Sequence, residues 1–427
     1  MYSDILITTS HGINLWDVLL EGNIRNYYNV CVSDVNNSAY QIFNSPGYDL
    51  IIYVIFAIWN IPLWIAKTFF KADIWNSAIA MIWAKSLVLV FTVMTFRSVK
   101  NICKSLDMSE DKIRTCLLLM LTSPLLFSCL FVYSQYDVIY LFFMLEAVYY
   151  YINNQNKRFL LMMSIALPIK PLSAFIFAPL VLYREKNILK IGLQTILVFI
   201  PWIVLKLIIY PADIDAAYVL VFMLFKQKLA IGNVEIPLFV FATFVFYILC
   251  YITKFDENKY KENAIIFSFI SLIIFFIVCG GNPYWYILIV PFQCLLMGIN
   301  YKNALISSVL ELIYSVSVIG AQIWQVPWGF DATILRSTYI SKIFGNRIDD
   351  TNNILDILHK YLPGVYDLAE DRVESYFVGL FVAGISIFLF INLCRNKEFA
   401  LSGKNITKDI YIIRFAIGIL IAALPLI

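Results

Sequence analysis

Residues 264–300 read AIIFSFISLIIFFIVCGGNPYWYILIVPFQCLLMGIN, with no Asp, Glu, Lys, Arg or His among them. A short turn at 280–283 divides the stretch into two apolar runs, 264–280 and 284–300. Each run is close to the roughly 20 residues that a helix needs to cross a hydrocarbon core. Only helices and closed barrels satisfy their backbone polar groups without water, so such a pair reads as a helical hairpin in lipid. Working outward, runs of the same character recur at 73–96, 114–134, 137–152, 188–210, 236–253, 304–325, 374–394 and 410–427. Bulk composition agrees. Of 427 residues 61% are hydrophobic and 14% charged, with a mean hydropathy of +0.78, whereas soluble domains carry about 25% charged residues. The expected fold is an all-α, polytopic membrane protein.

Two further apolar stretches are interrupted. Residues 48–70 carry Asn60-Ile61-Pro62 near their middle, and 158–183 carry Pro168-Ile169-Lys170-Pro171. Proline removes a backbone donor and clashes with the preceding turn, which predicts broken or re-entrant helices at both places. Together with the uninterrupted runs, these bring the expected total to about ten to twelve transmembrane or re-entrant helices. The expected organisation is an outer N-terminal segment with amphipathic helices at 1–47, a transmembrane core at 48–325, a long outer loop at 326–373, and C-terminal membrane helices at 374–427.

Loop charge orients the chain. Arg97, Lys100, Lys104, Lys112 and Arg114 fall in one loop, Lys157 and Arg158 in another, and Arg184, Lys186 and Lys190 in a third. Lys254, Lys259 and Lys261, then Lys302, then Arg395, Lys397, Lys404 and Lys408 continue the series, while the turns at 135–137 and 280–283 carry no Lys or Arg. Lys and Arg favour the cytoplasmic side, so the charged loops are assigned inward and the uncharged turns outward. The first residues lack the charged and then apolar pattern of a cleavable signal, so a first membrane helix is expected upstream of Met1, or else a translocated N-terminus. The net charge of +3 is too small to argue for nucleic acid. Of the eight cysteines, Cys116, Cys129, Cys250, Cys279, Cys294 and Cys394 lie in or beside apolar runs and read as small packing residues, not as a disulfide framework.

Ionisable residues in or at the edge of a membrane are costly, which makes each a candidate for function. Asp137, in Ser134-Gln135-Tyr136-Asp137, reads equally as a helix N-cap and as a metal or substrate ligand. In the N-terminal segment Asp4, Thr8 and His11 share one face if the stretch is helical, and Asp4 reads either as a solvated acid or as a base or cation ligand. Asp17 and Asp34 carry a weaker claim of the same kind. Lys170 is flanked by prolines inside an apolar stretch and needs an anion: a lipid phosphate, or a carboxylate such as Glu146 or Glu311. Trp285 and Tyr286, in Asn282-Pro283-Tyr284-Trp285-Tyr286, fit first an aromatic belt at the headgroup level, such rings being more often belt residues than sugar platforms, and second a turn on which a sugar ring could stack.

Taken in order, several pieces resemble the GT-C superfamily of membrane glycosyltransferases, which use polyprenyl-phosphate-linked sugars. An acidic residue stands in the first outer segment, followed by Leu19-Leu20-Glu21-Gly22 and Tyr27-Tyr28, and Asn44-Ser45-Pro46-Gly47-Tyr48-Asp49 introduces an apolar stretch. Ser123-Pro124 precedes Gln135-Tyr136-Asp137, and Lys170-Pro171 precedes Ala178-Pro179-Leu180. Pro283-Tyr284-Trp285-Tyr286 then leads into Ile287-Leu288-Ile289-Val290-Pro291. The superfamily often pairs two carboxylates in its first loop, where this chain shows Asp4 singly.

The resemblance implies inverting hexosyl or mannosyl transfer on the outer face, from a polyprenyl-phosphate donor to a glycan, lipid or protein acceptor. By matching position, Asp4 is the base or metal ligand and Asp137 the second-loop carboxylate. Lys170, and after it Arg25, would bind the donor phosphate, with His11, Trp285 and Tyr286 at the substrate. The superfamily includes metal-dependent and metal-independent members, so a divalent cation (Mg2+ or Mn2+) on Asp4 and Asp137 is carried as an expectation. High Ile, Asn and Lys usage suggests a bacterial source, and with it the plasma membrane and a role in the cell envelope. Two other classes stay open. A lipid-linked saccharide flippase also uses broken helices and a buried lysine. An O-antigen polymerase or ligase would work through Arg336, Arg347, Arg372 and His359 of the long loop.

Overall fold

A computed structural model of the chain describes residues 3–33, 47–75, 77–133, 136–209, 222–325, 363–364, 373–394 and 397–423. The long loop with Arg336, Arg347, His359 and Arg372 lies outside these residues, as do Asp34, Ser134 and Gln135. The helices in chain order are α1 (Ser3–Leu20), α2 (Tyr27–Ser33), α3 (Leu50–Trp59), α4 (Ile61–Phe70), α5 (Ala78–Ser105) and α6 (Glu110–Leu121). They continue with α7 (Pro124–Phe127), α8 (Val138–Ile152), α9 (Asn156–Ile169), α10 (Ala174–Arg184), α11 (Ile188–Ile208) and α12 (Leu238–Ile252). The last are α13 (Tyr260–Val278), α14 (Ile289–Ile299), α15 (Ala304–Gln325), α16 (Val373–Leu393) and α17 (Lys408–Ala423). One antiparallel hairpin, Lys228–Ile231 with Val234–Pro237, interrupts the helical pattern before α12.

Among the described residues five helices are long and apolar enough to cross a membrane, and seven are if each of two bent pairs counts as one span. The chain is thus a helical membrane protein. The larger number expected from sequence depends on shorter helices. The 15 residues of α8 or of α12 rise only about 22 Å at 1.5 Å per residue, less than the roughly 30 Å of a hydrocarbon core.

The packing divides into two compact units that cut across the segmentation expected from sequence. The N-terminal unit comprises Ser3–Ser98 and Val138–Gly280, and the C-terminal unit comprises Val99–Asp137 and Gly281–Ile427.

In the N-terminal unit, α1 is built into the core. Ile5, Leu6, Ile13, Leu15 and Val18 are buried, but so are Thr8, Thr9, Ser10, His11 and Asn14, which occupy the other faces. A helix buried around most of its circumference has no amphipathic stripe, and small polar residues let helices approach closely in lipid. That approach is visible at Gly12, where a Cβ would stand 2.9 Å from the nitrogen of Ala57 and the carbonyl carbon of Phe56 in α3.

The break expected within 48–70 is present. α3 and α4 meet at 67°, and the buried Asn60 side chain donates to Phe56 O at 2.9 Å across the junction. The break expected within 158–183 falls at Lys170, whose extended backbone (φ −156, ψ 121) separates α9 from a 3-10 turn, Pro171–Ser173. Ser173 Oγ donates to Lys170 O at 2.9 Å, closing that turn.

Basic residues of the charged loops close helix ends, as expected for cations at negative helix termini. Lys186 Nζ donates to Cys250 O at 3.2 Å and Tyr251 O at 2.6 Å, at the end of α12. Burial lowers the pKa of this ammonium, with the Cys250 thiol pulling the other way. Arg184 donates to Tyr151 O at 2.6 Å, at the end of α8.

In the C-terminal unit, the run expected to form one span over 114–134 is broken. α6 ends at Leu121, and Ser123-Pro124 starts a short helix that passes into a π turn, Ser128–Val132, with a bend of 47°. Pro124 cannot donate to the preceding turn, which ends the helix there. α14 packs on α6, where any Cβ at Gly298 would collide with Cys116 Sγ. α16 lies against α15: a Cβ at Gly384 would stand 3.0 Å from the Cβ of Tyr314, and one at Gly320 would meet the Phe377 ring.

Candidate functional site

The candidate residues divide between the two units. Asp4, His11, Arg25 and Lys170 belong to the N-terminal unit, and Asp137, Trp285 and Tyr286 to the C-terminal unit.

Lys170 is the most unusual of them. It is only 9% exposed, it sits at the break between α9 and the Pro171 turn, and its ammonium lies 5.2 Å from the centre of the Tyr140 ring. An ammonium over an aromatic face gains roughly 0.5–2 kcal/mol depending on desolvation, which offsets part of the cost of burial. Tyr140 stands three residues after Asp137, in the helix that Asp137 immediately precedes. Of the two carboxylates expected near it, Glu146 accepts from Ser98 Oγ at 2.5 Å, and Glu311 pairs with Arg414 in the C-terminal unit.

His11 is buried in α1, its ring edge-on to Tyr53 at 5.5 Å. Its carbonyl accepts from Tyr27 OH at 2.9 Å, and Tyr27, Tyr28 and Tyr53 form an aromatic cluster around it. Arg25 is exposed in the 3-10 turn Ile24–Asn26. Asp4 lies in the first turn of α1. Asp17 is held at the surface: Trp64 Nε1 donates to one carboxylate oxygen at 2.8 Å and Lys67 Nζ to the other at 3.3 Å.

In the C-terminal unit the structure brings Asp137 and the aromatic turn to one neighbourhood. Asp137 is 2% exposed and lies in electrostatic range of Cys129. Cys129 Sγ in turn approaches Pro283 O at 3.6 Å, and Gln322 Nε2 reaches the same carbonyl at 3.5 Å. The turn forms a 3-10 helix, Pro283–Leu288. Trp285 and Tyr286 are buried to 8% exposure within it, Tyr286 edge-on to Phe381 at 5.7 Å. Phe381 belongs to α16, so that helix packs against Tyr286.

Sequence reasoning missed two polar clusters. In the C-terminal unit Arg414 of α17 and Glu311 of α15 form an ion pair with both side chains fully buried. Glu311 also accepts from Ser123 Oγ at 2.8 Å, Gln293 Nε2 at 2.8 Å and Ser315 Oγ at 3.1 Å. Arg414 further donates to Ser308 O and Leu119 O, each at 3.0 Å, and to Thr122 Oγ1 at 3.2 Å. So many partners identify a structural network, since a buried pair is tolerated only when its remaining donors and acceptors are satisfied. In the N-terminal unit Asp49 accepts from Trp202 Nε1 at 2.7 Å and lies 3.5 Å from Lys206 Nζ. Burial raises the Asp49 pKa, and Lys206 and Trp202 pull it back down.

Among the described residues no group of three or more His, Cys, Asp or Glu side chains could hold a metal ion. Asp137 is a single carboxylate beside a thiol, a poor match for the several oxygen ligands that Mg2+ or Mn2+ prefers. The surroundings of Asp137 do not fit the divalent metal expected there, and the Asp4 side chain lies outside the described residues. No family model, no curated protein and no solved structure matches the chain.

Proposed function

We propose that the chain is a glycosyltransferase that takes a sugar from a polyprenyl-phosphate carrier and passes it to an acceptor hydroxyl by inverting transfer. The observation that carries this reading is the position of Lys170, an ammonium held at a helix break in an apolar setting, over the Tyr140 ring. A lipid-linked phosphate is attracted to such an ammonium, and its polyprenyl chain stays in the hydrocarbon. The five to seven candidate spans among the described residues support the coarser part of this reading, a helical membrane protein; the GT-C-like fold with ten to twelve helices is proposed with it.

In the reaction, a carboxylate (Asp4 or Asp137) accepts the proton of the acceptor hydroxyl, and the oxygen attacks the anomeric carbon as the bond to the phosphate oxygen breaks. The phosphate leaves with the bonding electron pair, and Lys170 stabilises the charge gained there. Asp137, beside the turn of Trp285 and Tyr286, orients the acceptor. Arg25 serves the phosphate from the segment that follows α1, and His11 lies on the same helix as Asp4. The work is done at the outer face of a plasma membrane, for the cell envelope.

The test uses the purified chain in liposomes with polyprenyl-phosphate sugars and acceptors of each class. D4N, D137N and K170M are expected to lower turnover by 10²-fold or more, the scale of a lost acid–base or electrostatic group. Wild-type turnover in all three variants would remove the assignment. Movement of intact donor across the bilayer without cleavage would place the chain among the flippases.

A further inference from the structure

The proposed transfer makes no use of the cluster at the end of α11. That helix carries one of the most lipid-exposed surfaces among the described residues, with only 6% of its apolar window buried. Ile196, Leu197, Ile200, Ile203, Val204 and Leu207 all face outward. Its last turn carries Lys206, one turn beyond Trp202, with the ammonium 4.8 Å from the centre of the indole ring. Trp and Lys at the end of an apolar helix sit at headgroup level, where the indole rests at the interface and the lysine reaches phosphate.

An ordinary belt lysine has only water and headgroups around its ammonium. Lys206 instead meets Asp49, and the two are loosely matched: their separation of 3.5 Å exceeds the 2.7–2.9 Å of a tight charge-assisted bond. The carboxylate is better held by Trp202, at 2.7 Å, and Lys206 stays one-third exposed, at 33%. An ammonium offers three donors, and Asp49 is its one anionic partner among the described residues.

The geometry points to a binding site for the anionic phosphate of a bilayer phospholipid, formed by Lys206 and Trp202, with the acyl chains along the exposed face of α11 and Asp49 as the competing internal anion. When the phosphate arrives, Lys206 turns a donor toward it while Trp202 keeps Asp49 in place. The site is separate from Lys170 and does not depend on the chain being a transferase.

The competition gives the test its sign. Full-length chain is purified in a zwitterionic detergent, titrated with phosphatidylglycerol or phosphatidylcholine, and the retained lipid counted by native mass spectrometry. Removing Lys206 with K206M is expected to weaken phosphatidylglycerol binding about fivefold, the scale of one basic side chain at an anionic surface, and K206R to preserve it. Removing the competitor with D49N is expected to strengthen binding by a similar factor. K228M, which breaks the exposed hairpin pair Lys228–Glu235, should change nothing. Should K206M fail to fold, D49N and K206R decide the matter alone. Unchanged or weaker binding in D49N, or equal retention of phosphatidylcholine, overturns the proposal.

Discussion

Removing one partner of the Arg414–Glu311 pair should damage the C-terminal unit more than removing both charges. R414M takes away the cation that faces Glu311 and strips the Ser308 and Leu119 carbonyls of their donors. Both side chains are fully buried, so water cannot replace what is lost, and breaking such a pair costs about 3–5 kcal/mol. E311Q leaves the guanidinium without a counter-charge and should cost a similar amount, although Gln can still accept from Ser123 and Gln293. The double variant E311Q/R414M removes both charges. It should cost no more than the worse single change, so the coupling should be at least as large as the smaller single cost, about 3 kcal/mol or more. The assay is reversible unfolding of the purified chain in mixed micelles against increasing denaturing detergent. Single costs under about 1 kcal/mol, or simple additivity in the double variant, would show that the pair does not hold the unit together.

Smaller effects follow from packing. G12A places a methyl group against the backbone of Phe56 and Ala57 and should destabilise by about 1–3 kcal/mol in the same unfolding assay. G192A, in an exposed turn of α11 with open space around it, should instead stabilise by roughly 0.5–1 kcal/mol. Asn187 Oδ1 accepts from Leu189 N at 3.0 Å and Lys190 N at 3.2 Å, capping α11. N187A should cost about 1 kcal/mol, read from the same titration.

Much of the architecture was legible because proline and hydropathy act locally. Asn60-Ile61-Pro62 and Pro168-Ile169-Lys170-Pro171 mark real breaks, and the long runs at 188–210, 304–325 and 374–394 coincide with α11, α15 and α16. The break at Ser123-Pro124 carried the same signal inside a run read as continuous, and the π turn after it has no local signature. The N-terminal segment misled because Thr8, Thr9 and Ser10 look solvent-facing in sequence, whereas in a membrane protein small polar groups let helices close on one another.

The site was legible only in part. Lys170 stood out because charge in an apolar run is rare. Arg414 was hidden among the apolar residues of the last helix, and its partner lies 103 positions away. Asp49 and Trp202 are 153 positions apart. Such pairings depend on tertiary contacts that periodicity does not encode.

The most direct measurement follows the phosphate. In sealed liposomes with outward-facing chain, polyprenyl-phosphate sugar and acceptor are supplied on the outside, and free polyprenyl phosphate and glycosylated acceptor are quantified together. The account predicts equal amounts of both products, with inverted configuration at the anomeric carbon and loss of both in K170M. Glycosylated acceptor formed without release of polyprenyl phosphate, or equal yields from wild type and K170M, would contradict it.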